Sequence, residues 1–239
     1  MTVVLAQFGA LADKSANLHI IKTFAKQAAD TGASLLFLPE YSMFYAKANR
    51  VLLNPQAAEP LDGPFVRALG RIAREHHLWL AAGLYEQTDD LPYNTIVVLD
   101  DAGVLRGFHR KQMLYDAFGY RESDECRAGD TPFAPIETPI GRLGILTCYE
   151  LRFPALAAAQ CARGAQTLLV PAGWVVGAHK TLHWCTLLAA RAIENRTTVL
   201  GVNQWRDGLF LGHTAAFSRN GECIASLETG EGLLSVSLD

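Results

Sequence analysis

Short runs of Val, Ile and Leu alternate with longer stretches whose apolar positions recur every three or four residues, the pattern of strands and helices laid down in turn. VVLAQF, from Val3 to Phe8, is apolar at nearly every position, which predicts a strand buried on both faces. From Asp13 to Thr31, Leu18, Ile20, Ile21, Phe24, Ala25 and Ala28 return at helical spacing, and Gly32 supplies a stop. SLLFLPE is a second buried strand, ending at Pro39 and Glu40. Asp62 and Pro64 open a helix over 65–76, and LWLAAGLYE returns as a strand.

The middle of the chain reads as antiparallel. NTIVVLD and VLRGFHR flank a turn at Asp100 to Gly103, and Lys111 lies just past the second strand. Residues 112–131 keep no steady period and contain Gly119 and Gly129, so a long loop is predicted, the kind that in a compact domain usually serves function. GRLGILTC is then a strand, Pro154 to Arg163 a helix, TLLVPAG a strand, Lys180 to Arg196 a helix and TTVLGVNQ a strand. A hairpin around Asn220 and Gly221 and a last strand, GLLSVSLD, finish the chain. Two sheets with helices on their outer faces would account for strands apolar on both sides. With no repeat, low-complexity run or linker in view, one α/β domain over 1–239 is the simpler reading.

Half of the residues are hydrophobic, enough to drive burial and exclude disorder. A net charge of -3 and the lack of any Lys/Arg-rich run argue against nucleic acid as a partner. No apolar stretch approaches the length that spans a bilayer, and the apolar N-terminus has no basic leader and runs into Asp13 and Lys14. A cytoplasmic protein with no membrane partner is expected. The five cysteines, Cys126, Cys148, Cys161, Cys185 and Cys223, are odd in number and scattered, which suits reduced thiols better than disulfides or structural zinc.

Four residues carry candidate chemistry. Cys148 stands where RLGILT gives way to YELRFP, with Pro154 opening a helix, so its thiol is presented at a strand's carboxyl end, with the Tyr149 N–H placed to face an oxyanion. A buried cysteine with no chemical role is the competing reading. A cysteine nucleophile needs a base; His179, His183 and His213 are available, and Glu40, at the end of LLFLP, is placed as Cys148 is. Lys111 would hold positive charge beside a thiolate, and Glu122 would orient that ammonium, though each also reads as an ordinary loop charge.

Taken together, LLFLPEYSM, HRKQMLYDAFGYRES and GRLGILTCYELRFP, with LLVPAGW and LLAARAIEN downstream, resemble the nitrilase superfamily of carbon-nitrogen hydrolases along essentially the whole chain. The resemblance implies a four-layer α-β-β-α sandwich, no cofactor, a small-molecule amide substrate and a homodimer or higher homo-oligomer. It makes Glu40 the general base, Lys111 the oxyanion stabiliser, Cys148 the nucleophile and Glu122 the additional glutamate that positions the lysine and substrate. CYELRFP is closer to the branch that processes ω-amides and deaminated glutathione than to true nitrilases; an N-carbamoyl hydrolase or nitrilase with the same residues is the alternative, and a non-catalytic binding subunit a reading of another class. The sequence ends at GLLSVSLD, where many relatives of the family it resembles continue into a basic tail that contributes to dimer contacts.

Neighbouring residues fill in an expected pocket. Tyr41, Tyr115, Phe118, Tyr149 and Trp174 adjoin the proposed catalytic segments as candidate lining, and Arg121 or Arg152 is a candidate clamp for a substrate carboxylate. Glu150 and Arg152 flank the cysteine turn, where an ion pair between them is expected, and Glu194 is expected to pair with Arg191 or Arg196. His179, His183 and Cys185 invite a metal, yet no further ligand is marked; Glu75, His76 and His77 are adjacent and cannot share one helical face. Gly141 and Gly144 form no dinucleotide fingerprint.

Overall fold

Strands apolar at every position need cover on both faces, and the chain supplies it by stacking two sheets and laying helices on the outside. The computed structural model describes residues 1–238, so Asp239, the end of the expected last strand, lies outside the described residues. The first part of the chain forms β1 (Thr2–Gln7), α1 (Lys14–Asp30), β2 (Leu35–Phe37), α2 (Arg50–Gln56), α3 (Pro64–His76), β3 (Trp79–Glu86), β4 (Tyr93–Leu99) and β5 (Leu105–Arg110). A short ribbon, β6 (Asp116–Ala117) and β7 (Tyr120–Arg121), leads to β8 (Ile136–Thr138), β9 (Gly141–Ile145), α4 (Pro154–Ala162), β10 (Thr167–Ala172), α5 (Lys180–Asn195) and β11 (Thr198–Asn203). A second ribbon, β12 (Trp205–Arg206) and β13 (Phe210–Leu211), precedes β14 (Thr214–Phe217), β15 (Cys223–Leu227) and β16 (Gly232–Ser237).

One sheet has the order β16-β1-β2-β3-β4-β5 and the other β15-β14-β11-β10-β9-β8. In each, three parallel strands lie at the centre and antiparallel strands flank them: β1, β2 and β3 in the first, β9, β10 and β11 in the second. The period-two alternation of strand side chains then decides which layer each residue joins. Val3, Leu5, Leu35 and Phe37 meet Leu143, Ile145, Leu169 and Leu200 between the sheets. Val4, Ala6, Leu36 and Leu38 turn outward under Ile21, Ala25, Leu69 and Ile72 of α1 and α3. On the far side Leu168, Val170 and Val199 pack under Trp184, Leu188 and Ala192 of α5 and Ala157 of α4. The result is the expected four-layer α-β-β-α sandwich.

Asp13 caps α1 by accepting from the Ser15 and Ala16 amides, as the pattern predicts. Other elements depart from expectation. α3 begins at Pro64 as expected, but Gly63 rather than Asp62 holds the cap position, with no side-chain cap. α2 was hidden from the pattern because it has only seven residues, contains Pro55 and follows Asn49 in the left-handed region. The segment 112–131, expected as a featureless loop, holds the β6-β7 ribbon and a single 3-10 turn at Glu122–Asp124. Among the described residues no helix is long and apolar enough to cross a membrane.

The parallel strands of both sheets deliver their carboxyl ends to one edge of the sandwich, and Gly83 on β3 marks how closely the chain packs there. A β-carbon on Gly83 would lie 2.5 Å from the Tyr41 amide nitrogen and 3.0 Å from the Glu40 α-carbon, inside contact distance. Gly83→Ala is therefore expected to destabilise the fold by about 1–3 kcal/mol, as overpacking against rigid backbone does. Urea denaturation reads this; an unchanged midpoint would show that the 40–41 turn yields without cost.

Candidate active site

Glu40 lies three residues past β2, Cys148 three past β9 and Lys111 directly past β5. β5 runs parallel to β3 because each is antiparallel to β4, so all three reach the same edge. Lys111 is buried and places its ammonium between two buried carboxylates, with Nζ 2.9 Å from Glu40 Oε1 and 2.8 Å from Glu122 Oε2. The pattern favoured surface positions for each charge taken alone. Burial is tolerable here because each charged group has an opposite partner and hydrogen bonds as well.

Further donors complete the cluster. Asn94 Nδ2 donates to Glu40 Oε1 at 2.7 Å and to Glu122 Oε1 at 2.9 Å. The Gly173 amide donates to Glu40 Oε2 at 2.7 Å, the Tyr115 amide to Glu122 Oε2 at 2.7 Å and the Tyr41 hydroxyl to Glu122 Oε1 at 2.9 Å. Gln204 holds the Glu40 main chain by donating to its carbonyl at 2.7 Å. The sequence reading missed Asn94, although the hairpin gave a signal: Thr95 pairs with Arg110, so the same register sets Asn94 opposite Lys111. The Lys111 amide donates to the Asn94 carbonyl at 2.9 Å.

Cys148 opens a 3-10 turn, Cys148–Arg152, with φ at 50°. Tyr41, which follows Glu40, has φ at 58°. Left-handed backbone is costly for residues with a β-carbon and clusters at functional sites. Here it swings the half-buried thiol away from the strand axis and into a pocket also lined by Glu40, Lys111 and Glu122. Burial pushes the Cys148 thiol well above its usual pKa, the nearby Glu40 carboxylate adds to this, and Lys111 opposes it. Burial alone would lower the Lys111 pKa, but Glu122 and Glu40 outweigh it and hold the ammonium charged. The thiol thus shares its pocket with a buried ammonium and two buried carboxylates.

Tyr41, Tyr115, Tyr149, Arg152 and Trp174 all line this pocket. Tyr45, Tyr120, Phe210 and Lys180 also line it and were not foreseen. Lys180 lies among the rings of Phe118, Tyr115 and Trp174, with Nζ 4.7, 5.5 and 6.0 Å from their centroids. The Arg152 guanidinium lies 4.9 Å from the Trp174 ring centroid. Among the described residues neither cation has a carboxylate partner within ion-pair distance. Burial and then Arg152 lower the Lys180 pKa.

Other expectations need correction. Phe118 is 81% exposed at the tip of the β6-β7 ribbon, outside the pocket wall. Arg121 is exposed and pairs with Asp124 at 3.4 Å, which leaves Arg152 as the arginine at the pocket. Glu150 does not pair with Arg152; it is buried and bonded to His109 Nε2 at 2.7 Å. No histidine is among the described residues lining the pocket, so His179, His183 and His213 are not placed to serve Cys148. His183 Nδ1 instead faces Arg152 at 3.4 Å, and among the described residues no three His, Cys, Asp or Glu side chains form a metal cage. Glu194 pairs with Arg191 at 2.7 Å, one of the two partners expected.

Comparison with known proteins gives a consistent picture. The family model described as carbon-nitrogen hydrolase matches residues 2–239. The deaminated glutathione amidase of Escherichia coli O157:H7 is 35% identical over 195 residues, 81% of this chain and 74% of that protein. The NitFhit protein of C. elegans superposes with a TM-score of 0.90 at 29% identity over 98% of this chain, which spans only 60% of that longer chain. An amidase from Nesterenkonia sp. AN1, solved with acrylamide added to its active-site cysteine, superposes with a TM-score of 0.89 at 28% identity, covering 100% of this chain and 93% of that one.

Two measurements check the geometry. Asn94→Leu removes a donor shared by two buried carboxylates and is expected to lower unfolding free energy by about 1.5–3 kcal/mol, read by urea denaturation. Alkylation of Cys148 by iodoacetamide, followed by peptide mass spectrometry, is expected to rise with an apparent pKa above the roughly 8.5 of a free thiol. The sign follows from burial and Glu40, which disfavour the thiolate; a midpoint near neutrality would mean that Lys111 dominates.

Proposed function

This chain belongs to the carbon-nitrogen hydrolase family, and on that footing we propose that it is a cysteine-dependent amidohydrolase cleaving a small linear amide through a thioester intermediate. The observation that carries the reading is the buried Glu40–Lys111–Glu122 cluster opening onto the same pocket as the Cys148 thiol. In this reading Glu40 takes the thiol proton as sulfur attacks the amide carbonyl carbon. Negative charge gathers on the carbonyl oxygen, facing Lys111 and the Tyr149 amide. Three contacts to two carboxylates need only two ammonium hydrogens when Glu122 shares one between its oxygens. A third hydrogen remains for the oxyanion.

The carbon–nitrogen bond breaks as Glu40 passes its proton to the leaving nitrogen, which departs as ammonia or an amine. Glu40 then takes a proton from water, the hydroxide adds to the thioester carbonyl, and collapse expels sulfur, which recovers the proton from Glu40. The carboxylic acid is the second product. Dividing one difficult displacement between two easier ones is the advantage of the covalent route. Glu122 touches the ammonium and is held by three further donors, the Tyr41 hydroxyl, the Tyr115 amide and Asn94 Nδ2, which suits it to orientation.

Arg152 and Lys180 at the pocket suit a carboxylate at the far end of the acyl group. Likeness to an enzyme named deaminated glutathione amidase favours an ω-amide over an N-carbamoyl compound or a nitrile.

Assay of a panel of dicarboxylic monoamides, neutral amides, carbamoyl compounds and nitriles tests the substrate. Release of ammonia from 2-oxoglutaramate, or of the cysteinylglycine amine from deaminated glutathione, is expected, and turnover confined to carbamoyl compounds or nitriles would overturn the choice. Cys148→Ala is expected to abolish the acyl adduct seen by mass spectrometry, and Glu40→Gln to lower kcat by about 10²–10⁴-fold. A folded parent protein that forms no adduct with any of them would favour a binding role. Arg152→Leu is expected to raise KM for carboxylate-bearing amides by about tenfold or more while sparing neutral ones, since a charged hydrogen bond is worth about 1.5–3 kcal/mol.

A further inference from the structure

We propose that Glu150, backed by His109, is a positioning residue that fixes the separation of Cys148 and Lys111 by bracing the cysteine turn of one sheet against the lysine strand of the other. The inference rests on the reading of those two residues as reacting groups and adds to them a residue that lies outside the pocket lining.

The reacting groups arrive from different sheets: Lys111 follows β5 and Cys148 follows β9. Packed apolar side chains hold the sheets together but tolerate sliding of the sort that a displacement reaction does not. Glu150 supplies a directional tie at this place. Its carboxylate accepts from the Thr147 amide at 2.6 Å, from the Gln112 amide at 2.6 Å and from His109 Nε2 at 2.7 Å. Thr147 precedes Cys148, Gln112 follows Lys111, and His109 stands two residues before Lys111. Among the described residues no other hydrogen bond joins 105–112 to 141–153.

Three donors converging on one side chain call for a carboxylate, which accepts at both oxygens and has no hydrogen of its own to clash with them. Burial alone would raise the Glu150 pKa, but His109 and the Thr147 and Gln112 amides outweigh it and hold the carboxyl below its usual range. An ionised partner fixes the imidazole hydrogen on Nε2. His109 Nδ1 then faces no hydrogen-bond partner, and the ring stands edge-on to Phe133 with centroids 5.3 Å apart. Glutamine at 150 would turn an amide N–H₂ toward one of these donors and leave it unpaired. The brace would then loosen without a change of volume.

The test compares Glu150→Gln, His109→Gln and His109→Leu for kcat, KM, the rate of Cys148 alkylation by iodoacetamide, and the urea midpoint. Glu150→Gln is expected to lower kcat by about 10–100-fold with KM within about twofold, the signature of misplaced reacting groups rather than lost substrate contacts. His109→Gln keeps a donor and is expected to retain more kcat than His109→Leu. A folded Glu150→Gln protein with kcat within about threefold of the parent, or a KM rise that matches the kcat loss, would overturn the proposal. Equal losses in the two His109 variants would do the same. Should Glu150→Gln fail to fold, the His109 pair decides. Should the parent turn over no amide on the panel, the functional reading fails, yet the brace is still tested: alkylation of Cys148 is expected to change severalfold in folded Glu150→Gln, and an unchanged rate would overturn it.

Discussion

A single buried ammonium held between two buried carboxylates governs much of this architecture. Lys111, Glu40 and Glu122 are all buried, so none is stabilised by bulk water, and removing Lys111 would leave two uncompensated carboxylates inside the protein. Two negative groups also face one positive group, and the surplus is spread over neutral donors: the Asn94 amide, the Tyr41 hydroxyl and the main-chain N–H groups of Gly173 and Tyr115. The cluster thus enlists β4, the turn after β2, the turn after β10 and the loop after β5. It is as much a fastening of the fold as a set of chemical tools.

The two-sheet arrangement explains why so many distant segments meet. Each sheet carries a central run of parallel strands, and parallel strands leave their carboxyl ends on one side, where loops are free to diverge. Glu40 comes from one sheet and Cys148 from the other, so the proposed reacting carbon would sit at the junction of the layers. Contacts that cross the junction, such as the Gly173 amide on Glu40 and Gln204 on the Glu40 carbonyl, fix both sheets with the precision of hydrogen bonds where apolar packing alone would leave slack.

Much of this was legible in the chain. Unbroken apolar runs such as VVLAQF and TLLVPAG revealed strands covered on both faces; Glu40 and Cys148 were marked by following such runs, and Lys111 by following the second strand of a hairpin. What pattern alone does not reveal is partnership. Glu150 sits two residues from Arg152, and nearness in sequence suggested a pair, but the 3-10 turn sends the acid inward to His109. Arg121 and Phe118 adjoin Glu122, yet a two-residue hairpin tip points them outward. Asn94 and Lys180 lack any periodic signal, and only the strand register and the helix start, respectively, bring them to the site.

The left-handed backbone at Cys148 carries a wider implication. A glycine there would be more comfortable, by an amount on the order of 1 kcal/mol, and would also spare the fold a half-buried thiol. Drift toward greater robustness therefore runs against the thiol. A chain that carries cysteine at this position accepts a standing conformational handicap, one that the chemistry proposed for the thiol would account for.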